Sequence, residues 1–237
     1  MLTAKRPAVD SMRDTLSFTR GSNASASSCR EAVVLIHGML ANANSMRTMG
    51  DALNDSGYQV NYWSYPSIKP QSIRVHGQNL ASSIRDLVAN QSIQRLHFVT
   101  HSMGCIVLRV ALQLATLPAS TRIVMLAPPN SGSRLTRIPM GPIAHWFPQL
   151  PELSESANSL VNQLEDPAVF EIGVMAAQHD RVVDLERTHL KTQSDHLVVS
   201  TSHQRLPGCV ESVRQVIHFL VHGRFQRAAQ KATRHAA

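Results

Sequence analysis

Long apolar runs are missing from this sequence. The strongest, 33–36 and 123–127, fall far short of the roughly 18 residues that span a bilayer. The opening stretch, MLTAKRPAVDSMRDTLSF, carries Lys5, Arg6, Asp10, Arg13 and Asp14 and lacks the apolar centre of a secretory signal. Cysteine is scarce as well. Cys29, Cys105 and Cys209 are too few and too scattered for a disulfide framework, and no CxxC pair suggests zinc. Reduced thiols in a cytoplasmic protein are the expectation, with a single Cys29–Cys209 bridge left open. Aromatic residues make up 5% of the chain, a poor supply for stacking on bases. No GxGxxG or GxxxxGK[ST] loop offers a phosphate cradle, and no HExxH or similar spacing offers a metal site. Nucleic acid, metal and cofactor are therefore not expected.

The net charge of +7 is a property of the two ends. Residues 1–30 hold +3 and residues 224–237 hold +4, so residues 31–223 are neutral. Basic ends of this kind read as solvated tails. The expected layout is a flexible, Ser-rich lead-in over 1–30, one domain over 31–225, and a basic tail over 226–237.

What is present is an alternation of short apolar runs with helical spacings. Strands are predicted at 33–37, 58–65, 96–100, 123–126, 171–176 and 197–200. Helices are predicted at 43–56, 72–89, 103–117 and 209–222, the last stopped by Gly223. This pattern predicts an α/β fold with a mostly parallel sheet and helices on both faces. Residues 128–165 break the rhythm. Six of the twelve prolines lie between 128 and 151, with Trp146 and Phe147 among them, and a lid-like insertion in an extended path is expected there.

In such a sheet, ligands bind at the carboxyl ends of the strands. After the strand at 96–100 comes His101-Ser102-Met103-Gly104, opening directly into a helix. A serine on so tight a turn is thrust out of the backbone beside the positive end of the helix dipole. Gly104 supplies one of the small residues the turn needs, while Thr100 and Cys105 stand where glycines are usual. The first strand ends in His37-Gly38-Met39-Leu40 at the same edge. A serine nucleophile also needs a base and an orienting carboxylate.

With these stretches (VVLIHGML, FVTHSMGC, MLAPPNSGS, AAQHDRVV and TSHQRLPG) the chain resembles the α/β-hydrolase superfamily, and within it the small bacterial lipases and esterases. The resemblance covers residues 31–225. It implies Ser102 as nucleophile, the N–H groups of Met39 and Met103 as oxyanion hole, and a structural role for His37. The family order of Ser, acid, His implies His203 as base, in the loop before the last helix. Asp180 is the implied acid, with Asp184 and Asp195 as competitors. Leu40, Trp146 and Phe147 are the expected substrate contacts. The resulting expectation is a serine hydrolase cleaving an acyl ester or lipid through an acyl-enzyme. Acyl transfer or thioester cleavage on the same triad, and a catalytically silent binding module, are the alternatives.

Overall fold

The computed structural model describes residues 18–20, 31–67, 71–90, 93–118, 120–138 and 147–227. Seven strands form one sheet: β1 (Phe18–Arg20), β2 (Glu31–Ile36), β3 (Gln59–Trp63), β4 (Arg95–His101), β5 (Arg122–Leu126), β6 (Glu171–Ala177) and β7 (Asp195–Val199). Their order is β1-β3-β2-β4-β5-β6-β7, and every pairing is parallel except β1 with β3. The helices are α1 (Arg47–Asp55), α2 (Ile73–Asn90), α3 (Met103–Leu112), α4 (Gln149–Glu152), α5 (Leu160–Gln163) and α6 (Val210–His222).

The continuous apolar runs of the strands are explained by burial on both sides. Along β2, Ala32, Val34 and Ile36 enter one core with α2 and α3, and Val33 and Leu35 enter a second core with α1 and α6. A strand covered by helices on both faces has no polar side to show, so its sequence does not alternate. The three apolar positions read as the inner face of the first helix, Met46, Met49 and Leu53, are all buried.

Most predicted boundaries move by one or two residues, and three differences bear on the layout. Residues 18–20, assigned to a flexible lead-in, form the antiparallel edge strand β1, paired Phe18 to Trp63 through Arg20 to Asn61. Three residues without periodicity carry no strand signal. Helix α3 stops at Leu112 rather than 117, and the chain beyond it leaves Leu114 half exposed. Residues 226 and 227, assigned to the basic tail, are bonded to the domain. Gln226 N–H donates to Gln215 Oε1 at 2.7 Å, Gln215 Nε2 returns a bond to Gln226 O at 2.9 Å, and Arg227 pairs with Asp195. Residues beyond 227 lie outside the described residues.

The 128–165 segment is not simply extended. It contains a 3₁₀ turn at Arg134–Arg137 as well as α4 and α5. It is tied down at several points. Glu152 accepts from Ile73 N–H at 2.6 Å and from Ser72 Oγ at 2.9 Å, capping α2 from outside the helix. Arg109, buried on α3, donates to Leu164 O at 2.9 Å and pairs with Asp166 at 3.0 Å. Ser133 Oγ and Arg134 N–H both donate to Val182 O, each at 2.9 Å.

Candidate active site

The sheet places the site before any side chain is considered. Strand order reverses around β2, with β3 on one side and β4 on the other, and the loops leaving β2 and β4 part there to leave a crevice. Those two loops carry His37-Gly38-Met39 and Ser102.

Ser102 joins β4 to α3 with φ 54° and ψ −125°, a conformation that non-glycine residues rarely adopt. The turn is held at both ends: Ser102 N–H donates to Leu126 O at 2.9 Å, and its carbonyl accepts from Cys105 N–H at 3.0 Å. Two glycines make room for it. A Cβ on Gly104 would sit 2.4 Å from His37 O, and one on Gly38 would sit 3.0 Å from Ser102 Cβ. The two departures from the usual glycine pattern fit together. Thr100 Oγ1 donates to Cys105 Sγ at 3.1 Å in a fully buried contact, and burial pushes the Cys105 thiol up to about 12. Cys105 is thus an inert packing residue beside the elbow. Cys209 is also a free thiol, and Cys29 lies outside the described residues.

Ser102, His203 and Asp180 come together. His203 Nε2 lies 2.9 Å from Ser102 Oγ, and His203 Nδ1 lies 2.7 Å from Asp180 Oδ2. A carboxylate only accepts, so Nδ1 carries the proton and Nε2 is free to accept from the serine hydroxyl. Asp180 Oδ1 accepts from the N–H groups of Val182 at 2.7 Å and Val183 at 2.9 Å. Burial raises the carboxyl pKa, but the bonds from His203, Val183 and Val182 outweigh it and hold Asp180 below its ordinary value. The acid and base loops are joined through the backbone. Gln178 N–H donates to Val199 O at 2.8 Å, and His179 N–H donates to Thr201 O at 3.0 Å.

The competing aspartates are engaged elsewhere. Asp184 pairs with Arg134, Arg137 and Arg187. Asp195 accepts from Phe225 N–H at 2.8 Å and from Arg227. His37 is buried and stacks on Tyr65 with ring centroids 4.5 Å apart, and Tyr65 donates from its hydroxyl to His37 O at 2.9 Å. Burial lowers its pKa. This histidine braces the end of β2 and does not approach Ser102 through any described hydrogen bond.

Met39 follows Gly38 at the crevice and is half-buried, and Met103 is the first residue of α3, where an N–H has no acceptor within its own helix. Leu40 is 62% exposed and holds φ 57°. Phe147 is half-buried at the start of α4's approach. Trp146 lies outside the described residues. Among the described residues, no group of three or more His, Cys, Asp or Glu side chains is placed to hold a metal ion, and no helix is long and apolar enough to cross a membrane.

One contact escaped the sequence reading. His101, immediately before the serine, reaches the backbone of His203, with Nε2 3.1 Å from His203 O. Its only sequence signal is adjacency to the nucleophile.

The fold is that of the α/β-hydrolases. It is similar to the mature lipase BlEst2 of Bacillus licheniformis, with a TM-score of 0.64 at 12% identity over 86% of this chain and 96% of that one. It is also similar to lipase B of Aspergillus fumigatus, with a TM-score of 0.69 at 12% identity over 91% of this chain but 58% of that one. A lipase-esterase related protein of Clostridium acetobutylicum aligns with a TM-score of 0.55 at 14% identity, over 87% and 98% of the two chains. Residues 27–128 match the model of a family described as "Putative serine esterase (DUF676)". That stretch runs from before β2 to the end of β5 and includes Met39, Ser102 and Met103. A comparison with curated proteins finds no match.

Proposed function

We propose that this chain hydrolyses carboxylic esters through Ser102, His203 and Asp180. The observation that carries the reading is the unbroken line of short contacts, 2.9 Å from serine to imidazole and 2.7 Å from imidazole to carboxylate. In this reading Ser102 Oγ attacks the ester carbonyl as its proton passes to His203 Nε2. Asp180 keeps the imidazole in the tautomer that can accept that proton and stabilises the imidazolium that forms. The tetrahedral oxyanion takes hydrogen bonds from Met39 and Met103 N–H, each donor contributing about 2.7–4 kcal/mol to transition-state stabilisation. Collapse passes the proton from His203 to the departing alcohol and leaves an acyl-Ser102 ester. Water, activated by His203, then releases the acid.

In this reading the acyl group is a short or lipid-like one that lies against Leu40 and against Phe147 of the 128–165 segment. An exposed Leu in a rare left-handed conformation beside the crevice supports that direction. The same segment acts as a cover that selects the acyl chain. The lipase and esterase names of the similar structures agree with this substrate class.

The test is turnover of a short chromogenic ester by the wild type and by Ser102→Ala. Release of the acid by the wild type, and its loss in the variant, is expected. Equal rates would remove Ser102 from the mechanism. An added alcohol separates hydrolysis from acyl transfer, because transfer yields a new ester in place of the acid.

A further inference from the structure

The strand pleat sends neighbouring residues of β4 to opposite sides. Thr100 goes to the buried thiol of Cys105, and His101 goes to the loop that carries His203. The His101 ring is buried and lies 4.9 Å from the His203 ring, centroid to centroid, tilted by 49°. Its contact, however, is with the backbone. Because His203 O can only accept, His101 Nε2 carries the proton and donates it across 3.1 Å. His101 Nδ1 is then the unprotonated nitrogen. It has no hydrogen-bond partner among the described residues and faces Gly38, where an added Cβ would come within 3.2 Å of it. One imidazole therefore fills the space between the loop that delivers Met39 and the loop that delivers His203.

We propose that His101 is a positioning residue, which holds the backbone of His203 so that its Nε2 stays on Ser102 Oγ. This rests on the triad reading above. A bond to the carbonyl fixes where the His203 ring begins without engaging either of its nitrogens, both of which the reaction uses. His101 also has to stay neutral, since a second cation beside the imidazolium of His203 would oppose its formation. The surroundings ensure this. Burial first, and then the neighbouring His203, lower its pKa to about 3, against the opposing pull of the His203 carbonyl and Asp180, while His37 adds to the lowering. The residue next to the nucleophile thus donates one hydrogen bond at every working pH and never competes for the proton in transit.

Two polar substitutions separate this role from packing. In His101→Gln the amide nitrogen can occupy the place of Nε2 and donate to His203 O. In His101→Asn the side chain is too short to do so. Both are compared with the wild type and Ser102→Ala in the full chain, by kcat and KM for a short chromogenic ester, a pH profile and a melting temperature. His101→Asn is expected to lower kcat by about 10- to 100-fold with KM within about twofold, the loss that a misplacement near 1 Å produces. His101→Gln is expected to restore most of kcat at a similar melting temperature, and neither should move the acidic limb of the profile through titration of residue 101. Equal kcat in both variants and the wild type, with only melting temperature changed, would overturn the proposal. A Ser102→Ala protein as active as the wild type would instead bring down the triad reading, and the proposal with it.

Discussion

Asp180 and Asp184 are four residues apart, and at the residue scale their different fates show what decides function. Both follow β6, and both are partly enclosed by their loop. Asp180 turns its carboxylate to His203 and two backbone N–H groups, while Asp184 faces three arginines. Only the first can hold an imidazole in the tautomer that accepts from a serine. Asp180→Asn is expected to lower kcat by up to about 10⁴, since the amide would favour the wrong tautomer. Asp184→Asn is expected to leave kcat within about tenfold and to act mainly on melting temperature, through a partly exposed ion-pair group. Steady-state kinetics on the two variants checks this, and a larger kcat loss in Asp184→Asn would reverse the assignment. Sequence alone named these aspartates together with Asp195, because loop spacing sets which residues are near a strand end and not which way each side chain turns. Ser102 and Gly104 were legible for the opposite reason: the serine needs the turn and the turn needs the glycine, so the chemistry is written in adjacent positions. His101 went unread since its partner is a backbone atom 102 residues away.

At the scale of elements, the parallel strands were legible from their continuous apolar runs, and their order around β2 put two sequence motifs on one crevice. What remained unreadable was the wiring of the 128–165 segment. Its prolines pointed to an extended path, yet Pro148 leads into α4 and Pro151 lies within it, since proline suits the first turn of a helix. The Glu152 contact with α2 joins residues about 80 positions apart, and no local pattern signals it. A carboxylate at the N-terminus of α2 is favoured by the helix dipole as well as by its hydrogen bonds from Ile73 N–H and the Ser72 hydroxyl. Glu152→Ala is therefore expected to destabilise the protein by about 1–2 kcal/mol and to speed amide exchange at Ile73. Unchanged exchange there would show that the contact does not hold the insertion to the domain.

Among the described residues, burial lowers the pKa of His76, His101 and His196 far enough that all three stay neutral well below pH 6, and this is expected to shape the acid stability of the whole molecule. His76 is fully buried, and neither of its ring nitrogens has a hydrogen-bond partner among the described residues. Burial, with a smaller contribution from His37, lowers its pKa to about 4. His101 is lowered to about 3, and burial lowers His196 to about 4. Each of these groups binds a proton more readily when unfolded, where its ordinary value is 6.5. Their stabilising effect is thus complete above pH 6.5 and is lost as pH falls from 6.5 toward 4 for His76 and His196 and toward 3 for His101. Asp180 has its own window lower down, complete above its ordinary 3.8 and lost below it. Melting temperature is expected to fall steadily from pH 6.5 to 4. His76→Phe, which removes two unpaired buried nitrogens and keeps a ring against Tyr65, should raise it and flatten that slope. An unchanged slope in His76→Phe would mean that His76 takes no part in it.

The central claim is that Ser102 is a nucleophile activated by His203, and the most direct measurement of it is covalent capture. A fluorophosphonate reacts with a serine whose proton a neighbouring base can accept, and intact-protein and peptide mass spectrometry reads the adduct. The wild type is expected to gain a single adduct, on Ser102, with labelling abolished in Ser102→Ala and slowed by orders of magnitude in His203→Ala. A wild-type protein that hydrolyses ester but takes the label elsewhere, or labels equally fast without His203, would contradict it.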